Sequence, residues 1–401
     1  MTREASFENA VAFARDLIRI PSPSGGEEGV ARRILQEMEA LGFTRTGMDR
    51  AGNVVGVIPG TGSGPAVLLN CHTDVVAAGD PDEWEVPPYA GEVRDGFLHG
   101  RGAMDIKGPL ALQTYAAAAL KGKVPGDVIV AHTVYEERGG LGMQVLLEDG
   151  EVRPDAVIIG ESTHGDVCIG HRGRAELEVV LTGVAGHASA PERARNALCL
   201  LPRALEAVER VARDQPVDPV LGAASLAPTM VDVLPESRNV IPDVAVLALD
   251  WRILPGTTDE ALLERVALEL ERCMGPGTVE DLSWSVRMAS EHQACFTGLA
   301  RERSLMTPGF LMAPEHPVVR AAADAVGRRD GGRGPANVRP WTFATDGGWS
   351  CGVHRIPTIG FAPGEERYAH TNRERLSLDE ARWAFERYPR LVEAVQGALA
   401  R

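Results

Sequence analysis

No CxxC pair occurs in this chain; its six cysteines (Cys71, Cys168, Cys199, Cys273, Cys295, Cys351) are scattered. That spacing makes a poor disulfide framework and a poor structural zinc site, and it points to a reducing compartment. No apolar run reaches the ~20 residues that a membrane-spanning helix needs. At the N-terminus, Arg3 and Glu4 precede an amphipathic run (Phe7, Val11, Phe13, Ala14, Leu17, Ile18) rather than the continuous apolar segment of a signal peptide. A cytoplasmic protein is the expectation. Positive charge is also short. The 41 Lys and Arg face 56 Asp and Glu, and the formal net charge of -15 disfavours nucleic acid or an anionic membrane as partner. An anionic small substrate stays compatible, because local arginines can receive one. Internal repeats are lacking, and the one biased tract is the Gly/Arg loop at 328–335.

What is present is the composition of a soluble globular enzyme, with 44% hydrophobic and 24% charged residues. At 401 residues the chain is too long for one ordinary core, so two domains are expected. A helix is predicted over 6–20, stopped by Pro21. A second spans 27–41 and ends at Gly42. The apolar runs 53–58, 66–70, 128–135 and 156–160 read as strands, with helices over 106–120 and 139–149. Buried runs alternating with helices predict an α/β fold: a mostly parallel sheet sandwiched by helices.

From about residue 174 the period changes. The segment 175–181 alternates polar and apolar residues, as a strand with one wet face does. A helix over 193–213, strands at 225–234 and 244–254, a helix over 258–273 and a strand at 284–288 follow. The order β-α-β-β-α-β predicts an inserted α+β ferredoxin-like domain. The first pattern resumes with a helix near 317–328, a strand at 358–362 and a final helix from about 378. The expected division is 1–173 with 291–401 as a catalytic, metal-binding domain, and 174–290 as the insertion.

Ligand-type residues recur at predicted strand ends and loop starts: His72 in LLNCHTD, Asp105 in GRGAMD, Glu136 and Glu137 after VIVAHTVY, Glu161 after VIIG, and His370 in YAHTN. In open α/β sheets the C-terminal strand edge is where ligands bind. Taken singly, each has a plainer reading: a polar strand end for His72, a helix N-cap for Asp105, a surface turn for Glu136 and Glu137. Taken together they suit two hard or borderline divalent cations. Asp105, Glu137 and Glu161 would repel one another if they converged, and cations turn that repulsion into binding. Asp74, two residues beyond His72, is placed to accept a hydrogen bond from one imidazole nitrogen and leave the other for a metal. Glu137 is expected on metal and Glu136 as general base. Cys71 alternates to the opposite face from His72 and reads as packed.

With these fragments in order, and with PSPSG (21–25), WEVPP (84–88), GRGAMDIKG (100–108) and GVAGHASAP (183–191), the chain closely resembles the co-catalytic dizinc acylase and peptidase family. That family contains acetylornithine deacetylase, succinyl-diaminopimelate desuccinylase, aminoacylase and carboxypeptidase G. The resemblance implies one metal on His72 and Glu161, another on Glu137 and His370, Asp105 bridging, and Glu136 as base. It implies that the insertion is a lid and dimerisation domain of a homodimer. His187 would then reach the partner subunit's site and hold the developing oxyanion, while Asn239 and Arg252 would face a substrate bearing a carboxylate. Zinc is the default, with cobalt or manganese fitting the same ligands. Glu161 stands where many peptidase members have Asp and the deacylases have Glu, which leans toward an N-acyl amino acid. A dipeptidase or carboxypeptidase shares the metal centre, N-carbamoyl amide hydrolysis is a further variant, and a catalytically silent homologue is the reading of another class. The loop at 291–310 departs from the family pattern.

Overall fold

The computed structural model describes residues 3–150, 152–279 and 281–400. The chain forms two compact units: 1–171 with 293–301 and 310–401, and 172–292 with 302–309. No helix among the described residues is long and apolar enough to cross a membrane.

In the first unit, helix α1 (Phe7–Ile18) starts at Ser6, whose side chain accepts from the Asn9 N–H. Its apolar residues Phe7, Ala10, Phe13, Ala14, Leu17 and Ile18 recur at helical spacing and are all buried. Its end is closed by Lys107, fully buried, whose Nζ donates to the carbonyls of Leu17 and Ile20 at 3.1 and 2.7 Å. A cation there complements the helix dipole, although burial lowers the lysine pKa to about 7. Helix α2 (Glu28–Leu41) ends at Gly42, whose φ of 81° is the left-handed conformation glycine adopts without steric cost.

The strands β1 (Thr44–Met48), β2 (Val54–Ile58) and β3 (Gly64–His72) join an eight-stranded sheet in the order β1, β2, Gly126–Thr133, β3, Ala156–Ile159, Thr358–Gly360, Val167–Cys168, Val338–Arg339. Its four central strands are parallel. The antiparallel pairings fall toward the flanks. Helix α3 (Lys107–Ala118) and the helix Tyr388–Leu399 both pack on β3. Eleven of the twelve residues of α3 are buried, as a helix at the centre of the unit requires.

The strand expected over 128–135 ends at Thr133. Val134 and Tyr135 extend the apolar run but bury themselves in a small satellite cluster with Ala51, Leu141, Val145 and Cys295. Tyr135 has a φ of 57°, which turns the chain out of the sheet. The segment 293–301 packs in the same region. Its Gln293 side chain donates to Arg138 O (2.7 Å), its Ala294 carbonyl accepts from the Tyr135 hydroxyl (2.8 Å), and Thr297 Oγ1 donates to Arg50 O (2.6 Å).

Gly160 ends the strand before Glu161. A Cβ built there would lie 2.3 Å from Cys71 Sγ and 2.8 Å from Gln113 Nε2. Both neighbours are fully buried. Gly160→Ala is therefore expected to destabilise the protein by about 1–3 kcal/mol, read as a lower midpoint in denaturant unfolding; an unchanged midpoint would refute the close-packing argument.

The second unit is built on the antiparallel strands Gly173–Thr182, Ser225–Leu234, Val244–Ile253 and Leu282–Met288. Spatially they run Ser225–Leu234, Val244–Ile253, Gly173–Thr182, Leu282–Met288. Strand Gly173–Thr182 alternates buried and accessible residues along its length. Helices Leu201–Arg213 and Asp259–Met274 close one core with Leu177, Val179, Leu247, Leu249 and Trp251. The helix expected from 193 begins at Leu201. Asn196 caps a 3-10 turn over Ala197–Leu200, and Pro202 fits the first turn of the helix that follows.

Candidate metal centre

His72 is the last residue of β3, Glu161 lies just past Ala156–Ile159, and Glu136 and Glu137 form the turn after Gly126–Thr133. Parallel neighbours put these three chain ends on one edge of the sheet. Asp105 comes in on the turn before α3, and the peptide it makes with Ile106 is cis. The N-cap position of α3 is Ile106, with no side-chain cap, so Asp105 does not serve as a helix cap. His370 enters on a loop near the last strands, with a φ of 59° that non-glycine residues seldom adopt.

The five side chains meet in two overlapping triads: His72, Asp105 and Glu161, and Asp105, Glu137 and His370. His72 Nε2 lies 3.1 Å from Asp105 Oδ1 and 3.3 Å from Glu161 Oε1. His370 Nε2 lies 3.2 Å from Asp105 Oδ2 and 3.1 Å from Glu137 Oε2. Asp105 thus turns one oxygen to each triad. All are buried or nearly so except His370, whose side chain is 54% exposed.

The electrostatics follow from burial and crowding. Burial opposes charge on His72, but hydrogen bonds to Asp105, Asp74 and Glu161 outweigh it and hold its pKa well above the usual imidazole value. Hydrogen bonds to Asp105 and Glu137 push His370 up to about 10. Asp105 is held below the usual carboxylate range: burial works against its charge, and the two imidazoles more than compensate. Burial raises Glu161 to about 7, with Asp105 and Glu137 adding to it. Glu137 is raised by burial and by Asp105, and Glu136 well above its ordinary value by burial, with Glu161, Asp346 and Glu137 contributing. Nitrogen and carboxylate donors, three to a group, sharing one carboxylate and short of positive charge, fit two divalent cations.

Asp74 does more than the sequence suggested, and in a different way. β3 ends at His72, so strand alternation no longer governs residue 74. The nearest acceptor for His72 Nδ1 is the Asp74 backbone carbonyl at 2.8 Å, with the carboxylate at 3.5 Å. The carboxylate instead accepts the backbone N–H groups of Glu136 (3.0 Å) and Glu137 (3.2 Å) and the Ser24 hydroxyl (2.7 Å). It clamps the turn that carries the base candidate. Cys71 is buried, with Sγ donating to Gln113 Oε1 at 3.3 Å. His132 is a core histidine on Thr114, its pKa lowered to about 3 by burial. Sequence reasoning passed over Glu374, four residues after His370. It is 1% exposed and accepts the backbone N–H groups of Met104 and Asp105.

His187, Asn239 and Arg252 belong to the second unit. His187 pairs with Val240 in a short antiparallel ladder, and the Ala188 N–H donates to Asn239 O, so this segment and Asn239 are neighbours. The His187 ring is exposed, with Nδ1 2.7 Å from Ser189 Oγ. The side chain of Asn239 accepts from Ser237 Oγ. Arg252 is half-buried and donates from Nε to Asp250 Oδ1 at 2.8 Å.

Residues 68–394 match Peptidase family M20/M25/M40. The chain belongs to this family, and with it to the metal-dependent hydrolases of amide bonds. It is 33% identical over 370 residues to the uncharacterized protein YgeY of Escherichia coli K12, covering 90% of this chain and 88% of that one. It is 34% identical over 279 residues to a succinyl-diaminopimelate desuccinylase of Phenylobacterium zucineum, covering 66% and 72%. In fold it is similar to the metallo-carboxypeptidase Sso-CP2 of Sulfolobus solfataricus, with a TM-score of 0.76 at 16% identity over 96% of this chain and 99% of that one.

Proposed function

We propose that this protein removes the acyl group from an N-acyl amino acid, releasing a carboxylic acid and an amine, at a centre of two divalent cations, zinc by default. The observation that carries the reading is Asp105, whose two oxygens face the two triads separately. His72 and Glu161 would hold one cation, Glu137 and His370 the other, with Asp105 shared. When bound, the cations supply the charge that acidifies water and polarises an amide carbonyl.

The chain's own residues do the rest. Glu136, fixed through its backbone by Asp74, takes the proton from water and returns it to the leaving nitrogen. His187 would donate to the developing oxyanion from a partner subunit. Arg252 turns Nε and, more loosely, Nη2 to Asp250 and keeps its Nη1 donors for a substrate carboxylate. The strand Ser225–Leu234, at a sheet edge with Met230, Val231 and Leu234 exposed, supports a homodimer through the second unit. The desuccinylase relatives and a glutamate at position 161 support an acylated amino acid over a peptide.

The test is a panel of N-acyl and N-carbamoyl amino acids and dipeptides, run before and after chelation. Deacylation abolished by chelator and restored by zinc is expected. Dipeptide cleavage alone would move the assignment to a peptidase, and no turnover by zinc-loaded protein would favour a silent homologue.

A further inference from the structure

We propose that Glu374, held by Arg101, is a positioning residue that fixes Asp105 between the two triads. The proposal rests on the two-cation reading above. Glu374 Oε1 accepts two successive amides, those of Met104 (3.0 Å) and Asp105 (3.1 Å). Its Oε2 takes Arg101 Nη1 at 2.5 Å, and its backbone carbonyl takes the Gly100 N–H at 3.3 Å. Residue 374 therefore grips the segment 100–105 at both ends.

Arg101 is itself fixed. It is 2% exposed, its guanidinium sits over the Trp84 ring at 5.1 Å, Nη2 donates to Ala77 O (3.3 Å), and its N–H donates to Pro88 O (2.8 Å). The carboxylate cannot swing without leaving a buried guanidinium unpaired.

Stability alone is a weak reason for this arrangement. A buried ion pair gains little over apolar residues of the same shape, because both charges must leave water. What a two-amide clamp supplies is direction. A shared carboxylate must reach two cations at once, and such ligands need placement within about 0.5 Å. Asp74 applies the same device to the turn bearing Glu136 and Glu137. Because Glu374 follows His370 by four residues, one short segment both donates a ligand and sets the carboxylate opposite it.

The test is a double-mutant cycle on metal binding. Wild type, Glu374→Gln, Asp105→Asn and the double variant are stripped of metal and titrated with zinc in a chelator-buffered series. Glu374→Gln is expected to weaken zinc binding by about 10–100-fold, and the double variant to bind no more weakly than Asp105→Asn alone. Losses that multiply in the double variant, or an unchanged affinity in Glu374→Gln, would overturn the proposal. Arg101→Lys, run in the same cycle, serves if Glu374→Gln does not fold; it should lose less, and again nothing further once Asp105 is Asn. Wild-type protein that takes up no zinc sinks the two-cation reading itself. Wild type that takes up two zinc ions, beside a Glu374→Gln protein of equal affinity, sinks only the positioning role.

Discussion

Replacing Glu136 with Gln is expected to lower kcat by about 10²–10⁴-fold, the usual share of a general acid–base, with both cations retained. Gln keeps the shape and the backbone N–H that Asp74 holds. What it loses is the ability to take a proton from water and pass it to nitrogen. The five ligand-type residues form their triads without Glu136, so removing its charge should leave metal content intact. Rates on the best substrate of the panel, alongside metal analysis of the same preparation, provide the check. A Glu136→Gln protein that turns over near the normal rate would rule out the base assignment. One that loses its metal would make Glu136 a ligand.

Zinc affinity should climb steeply with pH, by about tenfold per unit at the His370 site and so about 100-fold between pH 6 and 8. In the metal-free protein hydrogen bonds to Asp105 and Glu137 push His370 up to about 10, so its ring carries a proton across this range, and His72 is shifted in the same direction by Asp105, Asp74 and Glu161. Zinc takes only the neutral ring, and each site contains one histidine. A cation at the His370 site therefore displaces at least one proton, and raising the pH favours the bound form. Below about pH 7 Glu161 is protonated too, which makes the His72 site steeper there. The metal-free protein should show the opposite trend in stability. A raised imidazole pKa stabilises the fold below the unfolded value of about 6.5, and His370's contribution fades as pH rises toward about 10. Titrations at pH 6, 7 and 8 with matched chelator buffers test this; equal affinities would mean the histidines are neutral before metal arrives.

His72, Glu137 and Glu161 were legible because each follows an apolar run whose strand end the sheet brings to one edge, and Asp105 because it closes a Gly-rich turn, whereas His370 lies on a loop beyond Thr358–Gly360 with no such mark. The same logic misplaced the end of the strand before Glu136. Val134 and Tyr135 are as apolar as strand residues, but they serve a separate small cluster, and local hydrophobicity cannot tell one burial from the other. Asp74 was picked for its proximity to His72 in sequence, whereas its carboxylate is occupied by amides some 60 residues away. Arg101 and Glu374 left no usable signal: a polar residue in a loop reads as solvated, and only a partner 273 positions distant reverses that. The insertion's succession of strands and helices along the chain was readable from its alternation. The return of 302–309 to the second unit was not, because three chain crossings within twenty residues leave no mark on composition.

Those crossings constrain how a truncated gene could be made. Splicing codon 171 directly to codon 310 looks like a clean excision of the second unit. It would also discard residues 293–301, which stay with the first unit and pin Tyr135, Arg138 and Arg50 through their hydrogen bonds. The miniaturised product would then carry its ligand set on a frame whose most important corner had lost its strut. A serviceable cut keeps that nine-residue stretch and bridges on either side of it.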